Sequence, residues 1–290
     1  MLCLALNTRA RATVDEMVRA FSDANHDPSI GVIIVAGAGK HFGTGGDVEW
    51  EQWGPREAFY NRYPHNRLIR SSRKPVMAVV QGYCLGGHNH MAYCCDFTLA
   101  VDTAKFGQAG PKVSSPADGF FVPYLTKVVG AKKAREMWML CRRYSAEQAR
   151  EMGLVNDVFS ADEIWQAVDT WCEELLEKSP GCLEILKASF DQEMDGYNEM
   201  GILSSQFYPD WFDSPEGKEG GASFQRLATV ARCRQVARLG SGCGIPSLSS
   251  VKIGCLSAQL GSSRWDDQPS HASFSKQTWS RSEAHGAAAD

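Results

Sequence analysis

Apolar residues follow two distinct periods along the first part of the chain. Residues 13–24 carry apolar side chains at i, i+3, i+4 and i+7, which predicts an amphipathic helix. Residues 30–36 and 75–80 are continuous, largely β-branched apolar runs, typical of strands buried on both faces. Shorter apolar runs at 97–101 and 154–159 predict two further strands. Because these strands alternate with helical segments, the pattern predicts an α/β fold with a mainly parallel sheet.

Helical patterns separate these strands and continue beyond the last of them. Ser145 suits the N-cap of one helix, and Gly153 suits its end. Residues 48–66 show no clear period and predict a loop. The other predicted helices lie at 66–71, 89–95, 119–129, 131–140, 161–176 and 181–194.

The composition of the chain changes after about residue 225. Residues 239–290 are rich in Ser and Gly and hold no sustained amphipathic period, so we expect a disordered tail there. The predicted organisation is therefore a core at 1–160, a helical region at 161–225 and an atypical tail at 226–290.

Composition and charge narrow the class of protein. The chain has 290 residues, of which 43% are hydrophobic, and this is enough for a sizeable core. Its net charge of -4 and pI near 6.0 argue against a general nucleic-acid-binding protein. No apolar run reaches the roughly 20 residues that span a bilayer, and the start does not resemble a signal peptide, so we expect no membrane partner. Ten cysteines without a Cys-x-x-Cys pair indicate reduced thiols and predict a cytoplasmic location.

Two glycine-rich turns follow buried strands and are the candidates for chemistry. The first is FGTGGD at 42–47, and the second is GYCLGG at 82–87, just before a predicted helix. Glycine lets a ligand approach the backbone closely, and a turn that opens a helix presents N–H groups to an anion. Two such turns facing each other could bind a developing oxyanion; ordinary strand-to-helix turns are the alternative. Neither turn matches the GxxxxGKS/T or GxGxxG nucleotide patterns.

Four segments carry a pattern shared with a known family: KHFGTGGD (40–47), KPVMAVVQGYCLGG (74–87), CDFTLAVDTAKFGQAGPKV (95–113) and VGAKKAREMWMLCRRYSAEQAREMGLVNDV (129–158). They resemble the crotonase (enoyl-CoA hydratase/isomerase) superfamily, and the match looks closest to its naphthoate synthase and 2-ketocyclohexanecarboxyl-CoA hydrolase branch. The resemblance implies a crotonase-like spiral of ββα units with a C-terminal helical trimerisation region. It also implies an acyl-CoA substrate, assembly as a homotrimer or homohexamer, and two backbone N–H donors to the thioester oxygen, at Gly46 and Gly87.

The same resemblance bears on which reaction the site carries out. Hydratases of the family use two glutamates, but the corresponding positions hold His90 and Gly110, so simple hydration would lack its proton-transfer groups. In the bicarbonate-dependent members of the naphthoate synthase branch, a glutamine, a glycine and a tryptophan hold bicarbonate. Gln108, Gly110 and Trp138 match this set. The resemblance therefore implies bicarbonate as the base, with no tightly bound cofactor; a purely structural core position for Trp138 is the alternative.

Two further positions of that branch are matched only in part. Ser115 corresponds to the serine of a Ser-x-Asp element, but the aspartate position holds Ala117, and Asp118 lies one residue later. A shift of one residue on a helix turns a side chain by about 100°, so Asp118 is a candidate either for the acid or for a helix cap. The branch's tyrosine position holds Phe212, and Tyr208, one turn earlier, is the replacement candidate.

Histidines and cysteines crowd residues 88–95. His90 and Cys94 have the i, i+4 spacing of a metal-binding pair, but the family uses no metal and thiol-rich helix packing is common, so we expect no metal site. His90 is instead a candidate acid or base because histidine titrates near neutral pH. His88 replaces what is usually a third glycine and is expected to narrow the pocket.

These observations predict an enzyme that makes or breaks a C–C bond of a β-keto or cyclic acyl-CoA, as a lyase or a hydrolase. An enoyl-CoA hydratase or isomerase is one alternative. An inactive acyl-CoA-binding subunit is the other alternative. It is favoured by the altered aspartate and tyrosine positions and by a shortened N-terminus and an atypical C-terminus relative to the family, and it is disfavoured by the intact set of Gln108, Gly110 and Trp138.

Overall fold

A computed structural model of the chain describes residues 11–46, 64–115, 121–191, 213–220, 222–223, 226, 251–258 and 274–278. The helices named here are α1 (Arg11–His26), α2 (Pro64–Arg70), α3 (Gly87–Cys94), α4 (Phe121–Val129), α5 (Ala131–Leu140), α6 (Ala146–Glu151), α7 (Ile164–Leu176) and α8 (Pro180–Asp191). The strands are β1 (Ile30–Gly37), β2 (Val76–Val80), β3 (Tyr83–Leu85), β4 (Phe97–Val101), β5 (Lys105–Gly107), β6 (Arg143–Ser145), β7 (Asp157–Phe159), β8 (Val251–Ala258) and β9 (Phe274–Thr278). A short 3-10 helix covers Gly110–Val113.

The main sheet has six strands in the order β7-β4-β2-β1-β8-β9. Strands β1, β2, β4 and β7 run parallel, with Ile33 opposite Val76 and Met77 opposite Phe97. Parallel neighbours need crossover connections, and the intervening helices provide them. The predicted α/β fold with a mainly parallel sheet is therefore confirmed.

Both faces of the sheet are buried at β1, β2 and β4, which explains why these strands read as continuous apolar runs. On β1, Ile33 and Val35 belong to an apolar core that includes residues of α1, α3 and α5. The alternate residues Val32 and Ile34 belong to a second core that is completed by α7. Successive side chains of a strand point to opposite faces, so β1 contributes to both cores.

A second, small sheet consists of β3, β5 and β6. Strand β3 runs parallel to β5, with Leu85 opposite Gly107, and β5 runs antiparallel to β6, with Phe106 opposite Tyr144. The sequence predicts only a turn at 82–87 and no strand at β5 or β6. Each of these strands has 3 residues, which is too short for an apolar period to reveal. The small sheet holds the second glycine turn beside the end of β5.

Helix α6 begins and ends where the sequence predicts. The Ser145 hydroxyl accepts the N–H of Gln148 at 3.2 Å, and the Gln148 side chain accepts the N–H of Ser145 at 3.0 Å. This reciprocal pair is a capping box, which satisfies N–H groups at the start of the helix. Gly153, with φ of 81°, follows the helix in a conformation that suits glycine.

A buried ion pair fixes α8 to the main sheet. The ammonium of Lys187 lies 2.6 Å from Asp96 Oδ2 and also donates to the carbonyl of Lys74 at 3.0 Å. The same carboxylate oxygen accepts the N–H of Val76, the first residue of β2, at 2.8 Å. Burial lowers the pKa of Lys187, and the negative charge of Asp96 opposes that shift. This network joins three segments that are far apart in the sequence.

Two strands from the range 226–290 extend the main sheet. Strand β8 pairs antiparallel with β1, with Val35 opposite Ile253, and β9 pairs antiparallel with β8. The sequence predicts a disordered tail over this range, and two paired segments of 8 and 5 residues do not contradict that prediction. An uncovered strand edge presents unpaired N–H and C=O groups that attract such pairing. Apart from Arg226, the rest of the range lies outside the described residues.

Candidate active site

The first glycine turn is held along β3 by backbone hydrogen bonds. The N–H of Gly43 donates to the carbonyl of Tyr83 at 2.8 Å, and the N–H of Leu85 donates to the carbonyl of Gly43 at 2.9 Å. The imidazole Nδ1 of His41 accepts the N–H of Tyr83 at 3.1 Å. Burial, with a smaller effect of the neighbouring lysine, lowers the pKa of His41, which favours the neutral ring that this hydrogen bond requires.

The second glycine turn opens helix α3. Gly86 is the N-cap, with φ of 57° and ψ of -127°, a backbone conformation that side chains other than glycine rarely adopt. Its N–H donates to the carbonyl of Gly107 at 3.0 Å, which fixes the turn to the end of β5. Gly87 is the first residue of α3. The first N–H groups of a helix have no partner within the helix and carry partial positive charge.

The two turns lie against each other at backbone distance. A Cβ built on Gly45 would lie 3.5 Å from the backbone nitrogen of Gly87, and one built on Gly86 would lie 3.6 Å from the Cα of Gly45. The φ of Gly45 is 106°, which also favours glycine. Gly46, the next residue, is half-buried beside this contact. The structure thus brings together the segments that hold Gly46 and Gly87, and the donor role of both residues stays a prediction.

His88 connects these turns, and the sequence does not reveal how. Its Nδ1 accepts the N–H of Gly45 at 3.0 Å in a buried hydrogen bond that spans 43 positions of the chain. The sequence predicts only that His88 narrows the pocket. A side-chain contact over such a separation depends on how the strands pair, and no local pattern indicates it.

His90 lies in an aromatic cluster next to the second turn. Its imidazole stacks on Phe121 with ring centroids 5.0 Å apart and lies 5.3 Å from Trp138 and 5.8 Å from Tyr93. The residue is only 5% exposed. The structure therefore puts His90 beside one member of the predicted bicarbonate set, and its role as acid or base stays a prediction.

Trp138 belongs to this cluster, Gly110 lies next to Trp138, and Gln108 lies at the end of β5. Gln108 follows the last residue of β5, one position after the carbonyl that binds Gly86. A Cβ built on Gly110 would lie 3.8 Å from Cζ3 of Trp138 and 2.5 Å from the carbonyl oxygen of Ser115. Any side chain at residue 110 would therefore displace the backbone of Ser115, so this position has no space for the second hydratase glutamate.

The polar atoms of Gln108 and Trp138 are buried without protein partners in the part of the chain that the structure describes. Gln108 is 3% exposed and Trp138 is 8% exposed. Neither Nε2 nor Oε1 of Gln108, nor Nε1 of Trp138, has a hydrogen-bond partner there. Buried polar groups are normally hydrogen-bonded, so these donors are suited to a small polar ligand.

Of the remaining predicted site residues, Ser115 lies in the described part of the chain. Ser115 donates its N–H to the carbonyl of Gly110 at 3.0 Å, and it follows the 3-10 helix directly after Ser114. Asp118, Tyr208 and Phe212 lie outside the described residues.

Among the described residues, no group of three or more His, Cys, Asp or Glu side chains is arranged to hold a metal ion. Within the same ranges, no helix combines the length and the apolar character needed to cross a bilayer.

The chain matches a known protein family, and its fold is similar to that of several solved structures. The family described as Enoyl-CoA hydratase/isomerase matches residues 4–226. An enoyl-CoA hydratase from Mycobacterium avium subsp. paratuberculosis K-10 is 28% identical, with a TM-score of 0.66 over 77% of this chain and 88% of that one. An enoyl-CoA hydratase/carnithine racemase from Magnetospirillum magneticum is 25% identical, with a TM-score of 0.62 over 77% and 85%. Methylmalonyl-CoA decarboxylase in complex with 2-nitronate-propionyl-CoA shares the fold at 22% identity, with a TM-score of 0.69 over 76% and 88%.

The fold and the paired glycine turns define an enzyme class that handles acyl-CoA thioesters. This chain belongs to the enoyl-CoA hydratase/isomerase family, within the crotonase superfamily. The α/β crotonase-like fold that the sequence predicts is confirmed. The assignment to the naphthoate synthase branch stays a prediction.

Proposed function

We propose that this protein makes or breaks a C–C bond of a β-keto or cyclic acyl-CoA through a thioester enolate. The observation that carries the proposal is the contact between the two glycine turns, 3.5 Å from the Gly45 Cβ position to the Gly87 nitrogen. Gln108 follows Gly107, whose carbonyl accepts the Gly86 N–H, and Trp138 lies 5.3 Å from His90 of helix α3. The Gln108 amide and the Trp138 indole N–H are buried without partners among the described residues. The first feature suits enolate stabilisation, and the second suits an anion that replaces the missing carboxylate.

The glycine turns would act on the thioester oxygen. When the α-proton leaves, negative charge develops on that oxygen, and two N–H donors aimed at it lower the barrier. Removing one donor of such a pair typically costs about 10²–10³ in kcat. The N–H of Gly87 adds the partial positive charge of a helix start. The same enolate serves ring closure and ring opening, so the donors support both directions.

Bicarbonate suits the buried polar groups of Gln108 and Trp138. The amide of Gln108 and the N–H of Trp138 can donate to the oxygens of a small anion. When bound, bicarbonate supplies a base for the α-proton. His90 borders this region through its contact with Trp138 and is the proposed partner for proton transfer. Ser115, Asp118 and Tyr208 are proposed to complete the set.

Enoyl-CoA hydration or isomerisation is the second candidate. It is favoured by the 28% identity to an enoyl-CoA hydratase and by the buried imidazole of His90 at the position of a hydratase glutamate. It is disfavoured at Gly110, where the Ser115 carbonyl occupies the space of a side chain. This candidate predicts hydration of crotonyl-CoA without bicarbonate.

A substrate panel would separate the candidates. Succinylbenzoyl-type CoA esters, cyclic β-keto CoA esters and crotonyl-CoA would each be assayed in CO2-free buffer and again with added bicarbonate. We expect turnover of the first two classes only with bicarbonate. Turnover that does not depend on bicarbonate would exclude the proposed base, and crotonyl-CoA hydration would favour the second candidate. CoA-ester binding without any turnover would indicate an inactive subunit.

We also propose a homotrimer or homohexamer. Light scattering on the full chain should give three or six times the 31.9 kDa of one chain. A monomer would contradict this part of the proposal.

A further inference from the structure

His88 lies next to both proposed oxyanion donors: it follows Gly87 in the chain, and its side chain contacts Gly45, the residue before Gly46. His88 follows Gly87 directly in helix α3, so its own position is tied to one donor. Its Nδ1 accepts the N–H of Gly45 at 3.0 Å, and Gly45 immediately precedes Gly46, the other donor. A single residue therefore links the two turns at the points nearest to Gly46 and Gly87.

The imidazole of His88 is held tightly in this position. The residue is 0% exposed. A Cβ built on Gly43 would lie 2.3 Å from Cδ2 of the ring, so the ring packs directly on the backbone of the first turn. The ring of Phe42 contacts it edge-on, with centroids 6.0 Å apart. A fixed ring means a fixed acceptor, because Nδ1 cannot move away from Gly45 without leaving this packing.

The hydrogen bond to His88 is formed closer to Gly46 than the hydrogen bonds of Gly43 are, so it is better placed to set the direction of the Gly46 N–H. Gly43 is bonded to Tyr83 and Leu85 of β3, which fixes the start of the turn. Gly46 lies further along the chain, and the hydrogen bond from Gly45 to His88 forms one residue before it. Oxyanion donors act only when they lie about 2.7–3.1 Å from the charged oxygen. A displacement of about 1 Å can cost about 10²-fold in rate.

We propose that His88 is a positioning residue, which holds Gly45 so that the N–H groups of Gly46 and Gly87 converge on one thioester oxygen. This inference rests on the proposed function. It requires an unprotonated Nδ1, so the neutral ring carries its proton on Nε2. His88 does not touch the substrate in this role; it acts through Gly45.

Two substitutions separate the hydrogen bond from the packing. In His88→Asn, the side-chain oxygen occupies the place of Nδ1 on the same γ-carbon and keeps an acceptor. In His88→Leu, a methyl group stands there and the acceptor is lost. Steady-state kinetics would use the panel ester that the wild-type protein turns over best. We expect kcat of His88→Leu to fall about tenfold while KM changes less than about threefold, because the interaction matters most for the transition state. His88→Asn should stay within about threefold of wild type.

A second readout does not depend on activity. Hydrogen exchange at the Gly45 amide should be slow in the wild type and in His88→Asn, and faster in His88→Leu. In the wild-type protein with 15N-labelled histidine, NMR should show His88 protonated at Nε2 and not at Nδ1. These wild-type measurements also decide the matter if the leucine variant does not fold.

The outcomes distinguish this inference from the proposed function. Equal kcat values for the asparagine and leucine variants, a proton on Nδ1, or an unprotected Gly45 amide would overturn the positioning role. If His88→Leu keeps full activity while loss of the Gly87 N–H abolishes it, the oxyanion site stands and the role of His88 falls. If the wild-type protein acts on no acyl-CoA ester, the proposed function fails first and the positioning role with it.

Discussion

The buried amide of Gln108 leads to a prediction about stability as well as activity. In the described part of the chain neither of its polar atoms has a partner, and the residue is 3% exposed. A buried polar group without a partner costs about 1–3 kcal/mol. Gln108→Met removes that group and keeps a side chain of similar length. We therefore expect the ligand-free variant to gain about 1–2 kcal/mol in free energy of unfolding while it loses bicarbonate-dependent activity.

Gln81 offers a control of the same residue type. Its amide Nε2 donates to the carbonyl of Gly37 at 2.6 Å, so the same substitution there removes an existing hydrogen bond. Gln81→Met should lose about 1 kcal/mol. The two substitutions are thus expected to shift stability in opposite directions.

Urea unfolding at a fixed protein concentration measures both effects. In CO2-free buffer the free energy of unfolding should be highest for Gln108→Met, intermediate for the wild type and lowest for Gln81→Met. Adding bicarbonate at about ten times its dissociation constant should stabilise the wild type by about 1.4 kcal/mol, since only the folded state binds it. Gln108→Met should gain much less. If Gln108→Met is instead destabilised as much as Gln81→Met, its amide serves the fold, and the argument for an anion site at Gln108 is refuted.

Two further pairs of substitutions test the site and the fold. Gly110→Ala places a Cβ 2.5 Å from the Ser115 carbonyl, so melting should show a loss of about 1–3 kcal/mol together with loss of bicarbonate dependence. Gly181→Ala is the control, because a Cβ there meets no atom within 4 Å; its free energy of unfolding should rise by up to about 1 kcal/mol, since alanine favours a helix more than glycine does. Equal effects of Gly110→Ala and Gly181→Ala would argue against the steric reasoning. Lys187→Met leaves the carboxylate of Asp96 without its cation and should lower the free energy of unfolding by about 3–5 kcal/mol. Adding Asp96→Asn should restore part of that loss in a denaturation series, and an additive further loss would contradict the ion-pair account.

The architecture was largely predictable because it follows from local patterns. Buried parallel strands have continuous apolar runs, so β1 and β2 stand out in the sequence. The capping box of Ser145 and Gln148 marks the start of α6 for the same reason, since a cap is a contact between near neighbours. These features depend on residues within one turn or one strand of each other.

Contacts between distant segments were not predictable in this way. Strands β3, β5 and β6 have 3 residues each, and their positions follow from pairing rather than from any period. The hydrogen bond from Gly45 to His88 depends on the same pairing, so the sequence suggests only a bulkier residue at position 88. Strand β8 has 8 residues, but its pairing with β1 is a long-range contact that no local pattern indicates.

The candidate site was predictable to the extent that it rests on short motifs. The glycine turns can be read from the sequence because backbone at such positive φ values favours glycine, as at Gly45 and Gly86. The lack of space at residue 110 depends instead on the carbonyl of Ser115, which only the folded chain reveals.

The central claim is that the N–H groups of Gly46 and Gly87 stabilise a thioester enolate, and α-proton exchange tests it most directly. The full chain would be incubated in D2O with a succinylbenzoyl-type CoA ester and bicarbonate, and deuterium at the α-carbon would be followed by NMR. Gly87→Pro is the matched variant, because proline is tolerated at the first position of a helix and has no N–H to donate. We expect exchange catalysed by the wild type, and a rate lower by about 10²-fold or more in Gly87→Pro. Exchange at the wild-type rate in a folded Gly87→Pro protein would contradict the account.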